Sequence, residues 1–297
     1  MFPELPLERI SKMLGDALAE EVSFRRLQPV AGGSINRAYR ASTATRDFFI
    51  KCHQQDRLSM FEAEAEGLAE LRRADCVRVP RVYACGGGDG VAWLVLEWLP
   101  AIPGGERGAA QLGERLAALH RVHTAHFGWH RDNTIGLTPQ RNAWDDDWPR
   151  FFRDQRLGFQ LQLAERQRLD RRLQRLGERL LPRIAEFFTD YRPRPSLLHG
   201  DLWGGNWHLT TNDEPVLFDP AVYYGDREAD LAMTELFGGF PSAFYQAYRA
   251  NWPLDAGYSV RRTLYNLYHV LNHANMFGGG YVRQACAMME SLLAELG

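Results

Sequence analysis

The feature that most constrains this chain is a change of pattern near its hundredth residue. From Val22 to Leu99 the sequence breaks into short β-prone runs: VSFRRLQPV, NRAYRAS, DFFIKC, RVYACG and VAWLVLEWL. Runs of this length, bounded by Gly, Pro, Asn and Ser, predict five strands, the first three as an antiparallel meander. Among them LSMFEAEAEGLAELRR has helical composition, with Phe61, Leu68 and Leu71 as core contacts. An opening helix with Leu7, Ile10, Leu14 and Leu18 on one face caps these strands. PAIPGGERG then suits a connector better than any regular element. Beyond it the chain is mostly helical: GAAQLGERLAALHRVH, a long segment from about Trp148 to Tyr191, EADLAMTELF, SAFYQAYRAN, and two helices from Ser259 to Leu296. Only SLLHGD, NWHLT and PVLFDP interrupt it, as short strand-like pieces. The expected architecture is α+β and bilobal. Residues 1–99 form an N-lobe of five antiparallel strands plus a helix, 100–107 a connector, and 108–297 a mostly helical C-lobe.

Charge and composition narrow the partners. A formal charge of −2 gives no bulk attraction to nucleic acid or anionic membrane. The opening MFPELPLERI lacks a secretory layout, and no apolar run approaches the ~20 residues of a membrane span, so a cytoplasmic location is expected. The cysteines Cys52, Cys76, Cys85 and Cys286 contain no C-x-x-C pair and read as reduced thiols. His120, His123, His126 and His130 lie close together, but H-E-x-x-H is absent and Gly128 interrupts the run, so a helix end entering a loop is expected rather than a metal site. Between Arg150 and Arg183, Leu169, Leu173, Leu176 and Leu180 make a helical stripe that leaves the many arginines on a solvated outer face. No aromatic ladder accompanies them, as single-stranded nucleic acid would require.

The chemistry concentrates in HGDLWGGN. Asp201 can accept a hydroxyl proton, and Asn206, five residues on, offers an amide oxygen to magnesium, which is the layout of a kinase catalytic loop. The next strand ends in FDP, so Asp219 supplies a second hard oxygen ligand where a kinase holds metal. A cation for nucleotide phosphates comes from Lys51. With only Lys12 and Lys51 against thirty-three arginines, a lysine inside a strand signals a place for the compact ammonium. Its carboxylate partner comes from the following helix, where Glu62, Glu64 and Glu66 compete and Glu64 is preferred. The loop AGGS, with Gly32, Gly33 and Ser34, reads as a phosphate-covering loop or a plain hairpin turn. Glu97 to Leu99 form the adenine-facing connector. A helix resumes within about ten residues of Asp219, leaving no long segment to dock a polypeptide, which favours a small or side-chain-sized acceptor.

Over nearly its whole length the chain resembles the fructosamine kinase family. GGSINRAYR, MFEAEAEGLAEL, TPQRNAWDDDW, HGDLWGGN, DREADLAM and LNHANMFGGGY carry the resemblance; HGD alone is shared with aminoglycoside and choline kinases. The resemblance implies a protein-kinase-like fold and ATP- and Mg2+-dependent phosphorylation of the sugar 3-hydroxyl of a ketosamine, followed by release of the free amine. It implies Asp201 as base, Asn206 and Asp219 as magnesium ligands, Lys51 and Glu64 as the phosphate-positioning pair, and Trp203 facing the sugar. His273 is a further acceptor-side candidate. Many relatives carry cysteine in the glycine loop where this chain has Ser34, which removes a redox handle at that position. The implied partner is a small ketosamine or a glycated amine side chain, with no nucleic acid, no membrane and a monomeric state. The alternatives are an aminoglycoside-, choline- or homoserine-type kinase, or an inactive nucleotide-binding pseudokinase.

Overall fold

The computed structural model describes residues 5–30, 36–102 and 105–297. The chain divides into two compact units. Unit 1 takes the residues up to 103 together with His208–Asp219, and unit 2 takes the remainder. The division is therefore not a single cut near residue 100, because the short strands after the HGD loop return to the first unit.

Unit 1 opens with helix α1 (Leu7–Leu18), followed by strands β1 (Arg26–Val30), β2 (Arg37–Ser42) and β3 (Asp47–Gln54). Helix α2 (Leu58–Ala74) then precedes β4 (Val82–Gly88) and β5 (Val91–Glu97). The five strands form one antiparallel sheet in the order β1-β2-β3-β5-β4, as the sequence pattern predicts. Strand β5 is a continuous apolar run because both its faces are covered. Trp93 and Val95 join Ile10 and Leu14 of α1 in one core cluster, while α2 buries Phe61, Leu68 and Leu71 on the other side.

The connector holds a regular element that the sequence does not announce. Residues 101–102 form β6 (Ala101–Ile102). It pairs antiparallel with Leu209 and Thr210 of β10 (Trp207–Thr210), which also adjoins β11 (Pro215–Leu217). A two-residue strand has no readable period, so only its distant partner defines it.

Unit 2 begins with α3 (Glu106–Leu119) and a hairpin of β7 (Asn133–Ile135) and β8 (Thr138–Gln140). The long segment from Trp148 to Tyr191 is helical in several pieces. It runs as α4 (Trp148–Phe151), wider π-type turns over Phe152–Gly158, α5 (Phe159–Arg166), α6 (Arg171–Leu180), and tight turns over Leu181–Phe188. Arg168 takes a left-handed φ of 56° and Asp170 caps α6 by accepting from the Arg172 N–H, so the chain stops and restarts between α5 and α6. Strand β9 (Ser196–Leu198) pairs with β12 (Tyr223–Gly225), and α7 (Arg227–Leu236), α8 (Ser242–Asn251), α9 (Tyr258–Phe277) and α10 (Gly280–Glu295) complete the unit. Helix α9 is its spine, burying Leu264, Tyr265, Leu267, Tyr268, Val270 and Leu271.

The arginine-rich segment needs one correction. Leu173, Leu176 and Leu180 are buried as the stripe predicts, but Arg156 is not on an outer face and is fully buried. The π-type turns rotate it inward, where its guanidinium donates to the Arg141 carbonyl and, at 2.8 Å, to Asn142 Oδ1. It also lies 4.1 Å from the Tyr223 ring centroid. Asn142 Nδ2 in turn donates to Asn133 Oδ1 at 2.9 Å, as does Gln140 Nε2, and Tyr268 donates to Gln140 Oε1 at 2.8 Å. Gln140 and Asn133 finally donate to the main-chain carbonyls of Ala221 and Val222 at 3.0 and 2.8 Å. The TPQRN stretch thus holds by side-chain amides the backbone that follows Asp219 and Pro220.

Truncating this anchor leaves buried acceptors unpaired. Arg156→Ala is expected to lower stability by about 3 kcal/mol, and Arg156→Lys to recover only part, because an ammonium cannot reproduce the planar fork. Urea denaturation checks both; a loss under about 0.5 kcal/mol for the alanine variant would contradict the anchoring role.

Candidate active site

In unit 1 the site begins with a buried lysine. Strand alternation turns Lys51 to the sheet face opposite Ile50, which packs in the α1 cluster. Its Nζ lies 2.6 Å from Glu64 Oε1 and 2.6 Å from Asp219 Oδ1. On α2, Glu64 sits four residues after Met60 and four before Leu68, both buried, so it lies on the inward stripe, whereas Glu62 is exposed. Helical period therefore separates these two candidates. Burial alone would push the Lys51 ammonium toward neutrality; Asp219 and then Glu64 outweigh it, holding the lysine well above its ordinary range. Burial pushes the Glu64 carboxyl up, opposed by the Lys51 ammonium.

Asp219 reaches this pair through unusual backbone. It takes a left-handed φ of 52°, which Asp tolerates better than most residues, immediately before Pro220. Its side chain is 50% exposed, so one oxygen contacts Lys51 while the carboxylate remains open to solvent and a ligand. Glu97 is held by two arginines of unit 1. Its carboxylate accepts from Arg78 at 2.5 Å and from the Arg81 N–H at 3.1 Å, which pins the approach to β4. Leu99, past the end of β5, is half-buried. Gly32, Gly33 and Ser34 lie outside the described residues.

Unit 2 carries the HGD loop, and Asp230 of α7 fixes it. Asp230 Oδ2 accepts from the His199 N–H at 2.7 Å and Oδ1 from the Gly200 N–H at 2.8 Å. His120, at the end of α3, contacts the same carboxylate at 3.2 Å through Nε2 and Tyr248 at 2.8 Å through Nδ1. The Asp230 carboxyl is pushed up by burial but held below its ordinary range by the hydrogen bond and charge of His120 and by the loop N–H groups. Of the clustered histidines, His120 is thus the loop's support, and among the described residues no three His, Cys, Asp or Glu side chains converge on a metal-sized point. Neither His120 nor Asp230 was singled out by motif. The readable signal is the crowding of Asp226, Arg227, Glu228 and Asp230 into five positions at the start of an otherwise apolar helix.

Within the loop, Asn206 Nδ2 donates to the Asp201 carbonyl at 2.8 Å and lies 3.4 Å from Asp201 Oδ2. The amide orientation is thereby set, leaving Asn206 Oδ1 as an acceptor suited to a hard cation. Two residues beyond Asp201, Trp203 is 40% exposed. Its indole meets Phe237 edge-on at 6.5 Å, and Phe237 stands 5.0 Å from His273, which itself neighbours Tyr281 at 5.0 Å. The two acceptor-side candidates, Trp203 and His273, are therefore joined through Phe237, which sequence reasoning missed. His273 Nδ1 donates to the His269 carbonyl at 2.8 Å, so the neutral ring presents Nε2 as an acceptor, and burial pushes its pKa down.

The loop tolerates a side chain at one glycine and not at another. Gly200 has φ +84°, and a Cβ there would stand 2.0 Å from the Ala221 carbonyl oxygen, whereas one at Gly204 meets nothing within 4 Å. Gly200→Ala is expected to cost about 3 kcal/mol and Gly204→Ala under about 1 kcal/mol, measured by denaturant unfolding. Equal effects would contradict the rigid seating of His199 and Gly200.

Comparison with known proteins finds relatives over nearly the whole chain. Residues 6–295 match the fructosamine kinase family. A "Probable ketoamine kinase" of Synechocystis sp. is 44% identical over 97% of both chains. The crystal structure of a "Putative fructosamine-3-kinase" from Haemophilus somnus superposes with a TM-score of 0.87 at 29% identity, over 96% of each chain. At 13% identity, an aminoglycoside phosphotransferase in complex with AMP-PNP and hygromycin B shares the fold, with a TM-score of 0.63 over 96% of this chain and 97% of that one. The family match over residues 6–295, with the likeness to a ketoamine kinase along nearly the whole chain, shows that the chain belongs to the fructosamine kinase family.

Proposed function

We propose that this protein is an ATP- and magnesium-dependent kinase that phosphorylates the 3-hydroxyl of a ketosamine, a fructosyl or ribulosyl amine, and so starts the release of the free amine. The observation that carries the phosphoryl-transfer reading is Lys51, a buried ammonium held between Glu64 and Asp219. The acceptor class is supported by the family and by relatives named ketoamine kinase and fructosamine-3-kinase.

In this reading Asp201 accepts the proton of the acceptor hydroxyl, its position fixed through the backbone by Asp230. Lys51 positions nucleotide phosphates, and Glu64 orients Lys51. Magnesium-ATP supplies the transferable phosphoryl group and neutralises its charge; the oxygens of Asn206 and Asp219 would hold the metal, a donor set that suits magnesium. With the Glu97 carboxylate engaged by Arg78, the adenine contacts left at the connector are main chain and the Leu99 side chain. Trp203 presents its half-exposed indole to the sugar and His273 Nε2 accepts from an acceptor hydroxyl or ammonium. Loss of a C1 proton and of the 3-phosphate leaves a conjugated imine and inorganic phosphate, and water then hydrolyses the imine to a dicarbonyl sugar and the free amine. A cytoplasmic, monomeric enzyme completes the proposal; among the described residues no helix is long and apolar enough to cross a membrane.

Two variants test the roles. Asp201→Asn is expected to lower kcat about 10²–10⁴-fold with little change in KM for ATP. Lys51→Arg, nominally conservative, is expected to cost at least about tenfold, because the planar fork cannot occupy the place of an ammonium 2.6 Å from two carboxylates. Steady-state kinetics with fructosyl-lysine, ribulosyl-lysine, choline and an aminoglycoside checks both the roles and the acceptor class. Turnover of choline or the aminoglycoside with neither ketosamine would transfer the assignment to an alcohol kinase of the same fold. ATP binding with no turnover of any would identify a pseudokinase.

A further inference from the structure

Away from the HGD loop, unit 2 contains a cavity of about 550 Å³ whose lining is dominated by arginine: Arg121, Arg192, Arg194 and Arg227, with Ser196 and Trp252. None of the four guanidinium groups is ion-paired with a carboxylate among the described residues. Arg121 donates to the Asn251 carbonyl at 2.6 Å and Arg227 to the Pro253 carbonyl at 2.6 Å, and both lie over the Trp252 ring. These contacts orient the two groups without neutralising them. Arg192 and Arg194 are exposed on the segment leading into β9.

One carboxylate, Asp226, shares the lining. Asp226 accepts from the hydroxyls of Tyr191 and Tyr265 and from the Glu228 N–H, and burial pushes its pKa up. His123, also at the cavity, is pushed toward its neutral form by burial, then by Arg194 and His120. The lining thus sets four guanidinium groups against one carboxylate.

A separate observation points to a ligand. Ser196 is 1% exposed, lines the cavity, and its hydroxyl oxygen has no hydrogen-bond partner among the described residues. A buried hydroxyl left unpaired costs stability unless something completes it. A hydroxyl donor beside guanidinium groups that lack a carboxylate partner is complementary to a tetrahedral, multiply charged oxyanion.

We propose that this cavity is a second ligand site, which binds a small phosphoryl-bearing anion through Arg192, Arg194, Arg121 and Ser196, with Arg227 supplying field rather than a free fork. Its volume exceeds what inorganic phosphate fills and suits a phosphorylated metabolite of sugar-phosphate size. The site is separate from the HGD loop yet joined to it. Ser196 opens the strand that runs into His199 and Asp201, and Arg227 opens the helix whose Asp230 holds the loop N–H groups. Occupancy therefore bears on the segment that carries the catalytic carboxylate.

Calorimetric titration with inorganic pyrophosphate tests this, using the whole chain with its nucleotide site first filled by a non-hydrolysable ATP analogue. The expected result is one pyrophosphate bound per chain, weakened at least about tenfold in Arg192→Glu/Arg194→Glu and about threefold or more in Ser196→Ala. Circular dichroism and turnover without added pyrophosphate should match wild type in the double variant, since both arginines are exposed and lie outside the catalytic machinery. No binding to the wild type up to about 10 mM, or unchanged binding in both variants, would overturn the proposal. Because the nucleotide site is blocked and no acceptor is needed, this outcome is independent of the ketosamine assignment.

Discussion

A lysine with 4% of its surface exposed obliges everything around it to supply negative charge. Moving an ammonium out of water costs several kcal/mol, and only close, well-oriented carboxylates offset it. Lys51 therefore requires the inward stripe of α2 to carry Glu64 where an apolar residue would otherwise pack. It equally requires the chain after β11 to turn through a left-handed residue so that Asp219 arrives 2.6 Å away. Arginine, favoured elsewhere in this protein, is absent from this position because two carboxylates at that distance leave room for a point charge and not for a fork.

Unit 2 shows the same economy with the signs reversed. There a buried carboxylate, Asp230, is compensated by two main-chain N–H groups and His120, and the compensation is what holds the HGD loop. The loop's catalytic candidate is thus positioned through the backbone N–H groups of the two residues before it. The amide network from Arg156 through Asn142, Asn133 and Gln140 to the carbonyls of Ala221 and Val222 does for the next turn what Asp230 does for the loop. Both are polar clusters in a low-dielectric interior, where complete hydrogen bonding gives rigidity that apolar packing alone does not.

The legible parts of this molecule are those with a local signature. The five strands and α1 follow from alternation and helical period, and Glu64 can be chosen over Glu62 because it shares a face with Met60 and Leu68. Lys51 stands out by its rarity. What the sequence hides depends on distant partners: β6 exists only because Leu209 and Thr210 lie beside it. Arg156 points inward only because the helix widens into π-type turns, and charge alone placed it outside. His120 looked like one of four clustered histidines, yet its partners are 110 and 128 residues away. Phe237, lying between Trp203 and His273, belongs to a helix end with no motif of its own. Long-range pairing of this kind leaves no period or spacing to read.

In the proposed reaction phosphate passes to one particular hydroxyl of a sugar linked to an amine. The most direct measurement is proton–phosphorus correlation spectroscopy on the product formed from fructosyl-lysine, the enzyme and magnesium-ATP. The proposed reaction gives a phosphomonoester coupled to the proton on C3 of the sugar, with free lysine and inorganic phosphate growing in as that signal decays. Phosphate coupled to C4 or C6, or a product that keeps its amine on warming, would contradict it.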